Sequence, residues 1–228
     1  MALVELIEEA RWSEVRLANG GRRNALSAPF VGELLHVFDL AARRSDVVLV
    51  SAEGPVFCAG ADTSERHLPS AAPGTRFLDA LTSVDALLVG LVEGPALGAG
   101  LGALAAMPVV VASSEAWFSL PEPTMGRFAA GPGPFLEAVA PSRAYFDLAV
   151  SGSRIDADRA QALGFVSEVA APELVREVAV RRVEALVSEP VVARQGRWYW
   201  QQRFHTPSFR ALRSESLATL DRDYDATH

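Results

Sequence analysis

The sequence predicts an α/β fold, and three observations carry that prediction: short β-branched apolar runs, helix-period segments between them, and glycine turns at the changeovers. "EVRLA" (14–18) and "DVVLVSA" (46–52) read as strands, the second apolar enough to be buried on both faces. Between them, "SAPFVGELLHVFDLAARR" opens with a Ser N-cap, carries Pro29 in its first turn and spaces its apolar residues at helical intervals. "ALLVGLVEG" (86–94), "MPVVVASS" (107–114) and "AWFSL" (116–120) are three further strands. "DADRAQALG" (156–164) is a short helix stopped by glycine, and "FVSEVAA" (165–171) a last strand. After Pro172 comes an amphipathic helix, "PELVREVAVRRVEALVSEP", followed by an arginine- and aromatic-rich tail. This shift in composition sets a boundary between a core, 1–171, and a C-terminal region, 172–228.

Composition narrows the chemistry. The 228 residues are 50% hydrophobic and 21% charged, enough for one buried core. The opening "MALVELIEEARW" carries acids early and lacks the basic-then-apolar order of a signal peptide, and the apolar run near 94–112 is broken by glycine and proline. A soluble cytoplasmic protein with no membrane partner is therefore expected. Cys58 is the one cysteine, so no internal disulfide forms, and it has no zinc-type spacing with His36, His67, His205 or His228, so no metal is expected. All 21 basic residues are arginine, which excludes Schiff-base catalysis and any lysine acid or base. A net charge of −7 argues against a general nucleic-acid binder.

"GPALGAGLGALAA" (94–106) has no charge, hydroxyl or aromatic ring, but four glycines. A glycine turn between strand and helix lets a ligand approach the backbone, and the first N–H groups of the helix then face it. A second such turn, "GPVFCAGAD" (54–62), follows another strand. Either both are merely tight turns, or their N–H groups converge on one oxygen and stabilise an enolate.

"NALS" (24–27), "FCAGAD" (57–62), "GPALGAGLG" (94–102), "FSLPE" (118–122) with Gly126, and "SGSRIDADRAQALGFVSEV" (151–169) resemble, in order and spacing, the enoyl-CoA hydratase/isomerase (crotonase) superfamily. The resemblance covers nearly the whole chain. It implies a crotonase-like spiral of ββα units followed by a C-terminal helical region used in homotrimer or hexamer assembly. By position, the N–H groups of Ala61 and Ala99, each following a glycine (Gly60, Gly98), would bind the thioester oxygen of an acyl-CoA or acyl-carrier-protein substrate. No cofactor is implied beyond the CoA or phosphopantetheine that carries the acyl group.

The chain also departs from the pattern. Family hydratases commonly carry two catalytic glutamates; the first position here is Gly102, and the second is Glu122. Glu122 is either the acid/base group, its pKa raised beside an apolar pocket, or a cap or salt-bridge partner at a turn. "GAGLGALAA", "FSLPE" and "GPGPFL" (131–136) resemble crotonase-like dehydratases of polyketide β-branching, whereas the decarboxylases of such pathways depend on a lysine absent here. An enoyl isomerase with one carboxylate, and a catalytically silent binding protein, are the alternatives.

Other residues have two readings each. Asp62 closes the "AGAD" turn and is expected to cap the following helix, while belonging to the substrate site by position. His67, in "TSERHLPSAAPGTR" (63–76), is a loop histidine or a second acid/base lining the acyl pocket. Arg22 and Arg23 fall where the resemblance implies an approach to the nucleotide part of CoA, so they either contact its phosphate or are solvated arginines. Cys58 is expected to be a small buried residue, and Glu93 a turn contact. The tail of 194–213 holds five arginines and no acid; it docks an acidic carrier protein, forms a subunit interface, or is a helix whose arginines cover aromatics.

Overall fold

Nine strands run along the chain: β1 (Val4–Glu8), β2 (Ser13–Leu17), β3 (Val47–Ala52), β4 (Leu87–Val92), β5 (Ala96–Leu97), β6 (Val109–Ser113), β7 (Trp117–Ser119), β8 (Ile155–Asp156) and β9 (Glu168–Ala170). The structure, a computed structural model, describes residues 2–64 and 71–227, and these strands are those of the described residues. A six-stranded sheet has the order β1-β2-β3-β4-β6-β9, parallel except for the β1–β2 hairpin. A smaller layer has the order β5-β7-β8, with β5 parallel and β8 antiparallel to the central β7, and the bridges Leu26↔Ala61 and Cys58↔Ala96 extend it.

The helices are α1 (Ala28–Ala42), α2 (Pro73–Leu81), α3 (Ala99–Leu104), α4 (Gly133–Glu137), α5 (Ser142–Ser151), α6 (Ala157–Ala162), α7 (Val175–Val187), α8 (Pro190–Gln201) and α9 (Pro207–Thr227). From β2, β3 and β4 in turn the chain crosses to the smaller layer and then enters α1, α2 and α3. This repetition is the spiral of ββα turns that the resemblance implied.

Strand alternation explains why the large sheet is covered on both sides. Val47, Leu49, Leu87, Val89, Leu91 and Val111 form one face, packed under Val175, Val178, Ala179 and Val183 of α7. Their neighbours Val48, Val50, Leu88, Val92, Val110 and Ala112 point the other way, into the core that holds Phe30, Leu34 and Phe38 of α1. Full burial of each valine or leucine is worth about 1.5–3 kcal/mol relative to exposure. The 3.6-residue spacing of the α7 valines thus matches the 2-residue spacing of the strands they cover.

One charge lies inside this packing. Glu14 of β2 has a side chain that is 0% exposed. Its carboxylate accepts from Ser51 Oγ (2.5 Å), Arg176 Nη2 (2.5 Å) and Arg16 Nη2 (3.2 Å). Burial opposes the charge, but these partners outweigh it and hold the pKa below the ordinary 4.5. Arg176 lies on α7, so the pair ties the C-terminal region to the sheet.

Several elements differ from expectation. The segment before "EVRLA" had no assigned element, yet it forms β1 and pairs with β2 in register from Val4↔Leu17. The proline and glycine of 63–76 predict a loop; Pro73 instead opens α2, whose Phe77, Leu78 and Leu81 are buried. Strand formation in "FVSEVAA" is confined to Glu168–Ala170, since Phe165 N donates to Ala160 O and closes α6. Ser27 holds the N-cap position of α1 in extended conformation but makes no side-chain capping bond.

Candidate active site

The two glycine-rich segments lie against each other. Phe57 and Cys58 donate their N–H groups to Pro95 O at 3.0 and 3.3 Å, and Leu97 N donates to Cys58 O at 2.9 Å. Gly60 has φ +84°, and a Cβ there would stand 2.7 Å from Leu97 O and 3.3 Å from Ala99 N. Gly98, with φ +52°, is the N-cap of α3, and its N–H donates to Ser119 O at 3.0 Å. Both positions therefore require glycine for backbone angle, Gly60 also because the second turn lies against it and Gly98 because the Glu122 carboxylate does.

Ala61 and Ala99 follow these glycines. Neither N–H donates a turn, loop or cap hydrogen bond among the described residues. Ala99 is the first residue of α3, where helical N–H groups have no intrahelical acceptor. A Cβ built on Gly74 would contact the Ala99 methyl at 3.5 Å and the Ala61 methyl at 3.9 Å, so the first turn of α2 covers both residues.

Glu122 joins this arrangement from β7. Pro121 leads into a 3-10 turn, Glu122–Met125, which Gly126 ends at φ +69°. A Cβ on Gly98 would fall 2.9 Å from Glu122 Oε1, which places the carboxylate directly over the glycine that precedes Ala99. Its Oε2 is buried without a hydrogen-bond partner, and among the described residues the side chain makes no helix-cap bond and no ion pair. Desolvation raises the pKa above its ordinary 4.5. Burying a carboxylate without a partner is costly, and such groups concentrate where protons are exchanged.

Gly102 lies one helical turn beyond Gly98 on α3. A Cβ there would stand 2.8 Å from Pro132 Cβ and 3.4 Å from Leu78 Cδ1. Pro132 therefore occupies the space into which a side chain at 102 would grow. Gly102→Glu is expected to lower stability by about 1–3 kcal/mol through overpacking, without adding a working second carboxylate. Calorimetric melting measures the first effect, and a thioester assay the second.

Tyr145 of α5 fixes the segment that carries Pro132. Its buried hydroxyl donates to Ala129 O at 3.1 Å, and the edge of Phe128 packs on its ring at 6.3 Å between centroids. Burial, and secondarily the charges of Glu137 and Glu122, push its pKa well up, so it stays protonated.

The remaining candidates separate. Asp62, expected to cap the following helix, accepts at Oδ1 from Ser64 N (3.0 Å) and Ser64 Oγ (2.6 Å); residues 65–70 beyond it lie outside the described residues. Its other oxygen faces Arg22 Nη2 at 3.0 Å, which engages that arginine within the chain. These partners hold the Asp62 pKa below its usual 3.8. Arg23 is exposed at φ +54°, and its carbonyl accepts from Ala59 N at 3.0 Å. His67 lies outside the described residues. Cys58 is buried, donates to Asn24 O at 3.2 Å, and desolvation pushes its thiol up to about 12. Glu93 is exposed. Among the described residues no cluster of His, Cys, Asp or Glu could hold a metal ion, and no helix is long and apolar enough to cross a membrane.

Sequence reasoning missed Asn24, Pro132 and Tyr145. Asn24, at φ +51°, accepts from Asn19 N (2.9 Å) and donates to Glu53 O (3.1 Å) and Val56 O (2.9 Å), anchoring the chain beside the Gly60 turn. A buried asparagine in the left-handed region is a local signal that "NALS" contained. Pro132 and Tyr145 act through contacts with segments distant in sequence.

The sequence matches the family described as Enoyl-CoA hydratase/isomerase over residues 9–215. It is 28% identical over 191 residues to human enoyl-CoA hydratase domain-containing protein 3, mitochondrial, covering 78% of this chain and 62% of that protein. It is 31% identical over 182 residues to 2,3-dehydroadipyl-CoA hydratase of Escherichia coli K12, covering 76% and 71%. An enoyl-CoA hydratase structure from Mycobacterium smegmatis aligns with a TM-score of 0.80 at 26% identity, over 96% of this chain and 91% of that one. The chain spans 62%, 61% and 64% of the length of three of the curated relatives it matches. With a match that takes in nearly every element and both glycine turns, the chain belongs to the enoyl-CoA hydratase/isomerase family.

Proposed function

We propose that the protein is an enoyl-thioester hydratase or dehydratase acting on an acyl-CoA or acyl-carrier-protein, and that it works in polyketide or other secondary metabolism. The observation that carries this reading is the position of Glu122: a carboxylate whose Oε2 is buried without a hydrogen-bond partner, against the glycine whose next residue offers an unengaged N–H. In the dehydration direction Glu122 removes the C2 proton of a 3-hydroxyacyl thioester. The enolate oxygen accepts from the N–H groups of Ala61 and Ala99, where each donor is worth on the order of a hundred- to a thousand-fold in rate. The C3–O bond then breaks, and the departing hydroxide takes the proton from Glu122 and leaves as water. Gly60 and Gly98 keep the two donors side by side; Asp62 closes the Gly60 turn beside Ala61, and Arg23 borders that turn through its carbonyl, which accepts from Ala59 N.

A second reading has its own support. With position 102 closed by Pro132, one carboxylate faces the two turns, and one carboxylate suffices for an enoyl isomerase that takes the C2 proton and returns it at C4. Mass spectrometry of 3-hydroxy-3-methylglutaryl groups on CoA and on carrier protein, with wild type and Glu122→Gln, tests the first reading. Glu122-dependent loss of 18 mass units is expected of a dehydratase. Absence of that loss, together with Glu122-dependent conversion of a 3-enoyl-CoA to its 2-enoyl isomer, replaces it with the second.

The outer face of α8 presents Val191, Val192, Trp198 and Tyr199 to solvent, the last two 61% and 66% exposed. This apolar face supports homotrimer or hexamer assembly. The tail arginines are a weaker support for carrier docking: Arg194 and Arg197 pair with Asp46 and Asp85, and Arg203 lies 4.1 Å over Trp200.

A further inference from the structure

One tail arginine points inward. Arg213 of α9 is 7% exposed, the only arginine among the described residues classed as buried. Its Nε donates to Asp79 Oδ1 at 3.1 Å, and its Nη2 to Asp79 Oδ2 at 3.4 Å and Thr75 O at 3.5 Å. Its Nη1 donates to Gly131 O at 2.9 Å, and the guanidinium lies 4.8 Å over the Phe135 ring. One planar group thus holds α2 at two points and the 131–135 segment at two more.

Both held elements are walls of the site. Thr75 follows Gly74, whose Cα faces the methyl groups of Ala61 and Ala99. Gly131 precedes Pro132, which fills the space over Gly102. Apart from this bridge, α2 and the 131–135 segment come from separate turns of the spiral. Neither wall depends on Arg213 for its own secondary structure: α2 has Pro at its first position, and Gly133 N and Leu136 N donate to Ala129 O and Pro132 O.

We propose that Arg213 is a positioning residue, through which the C-terminal helix sets the gap between the two walls of the acyl site. The geometry requires arginine: a lysine ammonium can pair with Asp79 but lacks the rigid fork that reaches Thr75 O and Gly131 O together. The effect on substrate rests on the reading of function above; the mechanical coupling does not.

The test uses Arg213→Lys, which keeps the charge, with Arg213→Met as a second variant. Hydrogen exchange followed by mass spectrometry is expected to show protection lost by about tenfold in 74–81 and in 131–138 together, with β3 and β4 unchanged. For a thioester that the wild type turns over, KM is expected to rise on the order of tenfold with kcat within about threefold, because Glu122 and the two alanines stand on other elements. Loss of protection in one wall alone, in neither, or uniformly across the sheet overturns the proposal, as does a KM equal to the wild type's. If the wild type turns over no acyl thioester, the reading of function falls, and the exchange pattern alone decides for or against Arg213.

Discussion

Glu122→Gln is expected to lose turnover by about two to four orders of magnitude while melting at a higher temperature than the wild type at pH 7. The two effects have one cause. Glu122 is half-buried, with Oε2 buried and lacking a partner, so its charge is costly to the fold and available to a reacting proton. Glutamine keeps the shape and removes the ionisation. Because the folded pKa is raised, the folded state binds the proton more tightly than the unfolded chain. The stability this contributes is full below the ordinary 4.5 and is lost as pH rises through the folded value. The gain in melting temperature of Glu122→Gln should accordingly be absent in acid, growing above pH 4.5 and levelling at higher pH. Calorimetry across this range checks it, and a variant that melts lower throughout assigns Glu122 a structural role instead. The rising acid limb of kcat/KM against pH in the wild type is expected to report the same group.

Glu14→Ala is expected to cost about 3 kcal/mol, roughly 6–12 °C in melting temperature for a chain of this size. Truncation leaves the buried Ser51 hydroxyl without its acceptor and a cavity between β2 and α7. Arg176 and Arg16 are partly exposed and return to water, which keeps the cost below that of a fully buried pair. Glu5→Ala is the control: its pair with Arg16 is exposed and should be worth under about 1 kcal/mol. The pH dependence has the opposite sign to that of Glu122. With its folded pKa depressed, Glu14 contributes stability that is full above 4.5 and lost as pH falls through the folded value. Wild type should therefore lose stability in acid faster than Glu14→Ala; parallel acid melting curves would remove Glu14 as the cause.

Local patterns made β2, β3, β4, β6, β7, part of the β9 segment, the helix α1 and the amphipathic α7 legible, because alternation and helical spacing are short-range properties. α2 was hidden for the same reason: Pro73 and Gly74 look like breakers until Phe77, Leu78 and Leu81 find their core. β1 carries partly exposed residues, and its pairing with β2 rather than its own pattern makes it a strand.

By itself the sequence determined the α/β order of elements, the absence of lysine chemistry, and the two glycine turns with one glutamate beyond them. Those features reside in single residues or short runs, so no partner is needed to see them. Tertiary structure alone decided that Glu122 lies over Gly98, that Pro132 closes position 102, and that Arg213 turns inward to join α2 to the 131–135 segment. Each of these depends on which distant segments meet, and a side chain's charge, space and partners are set by those neighbours.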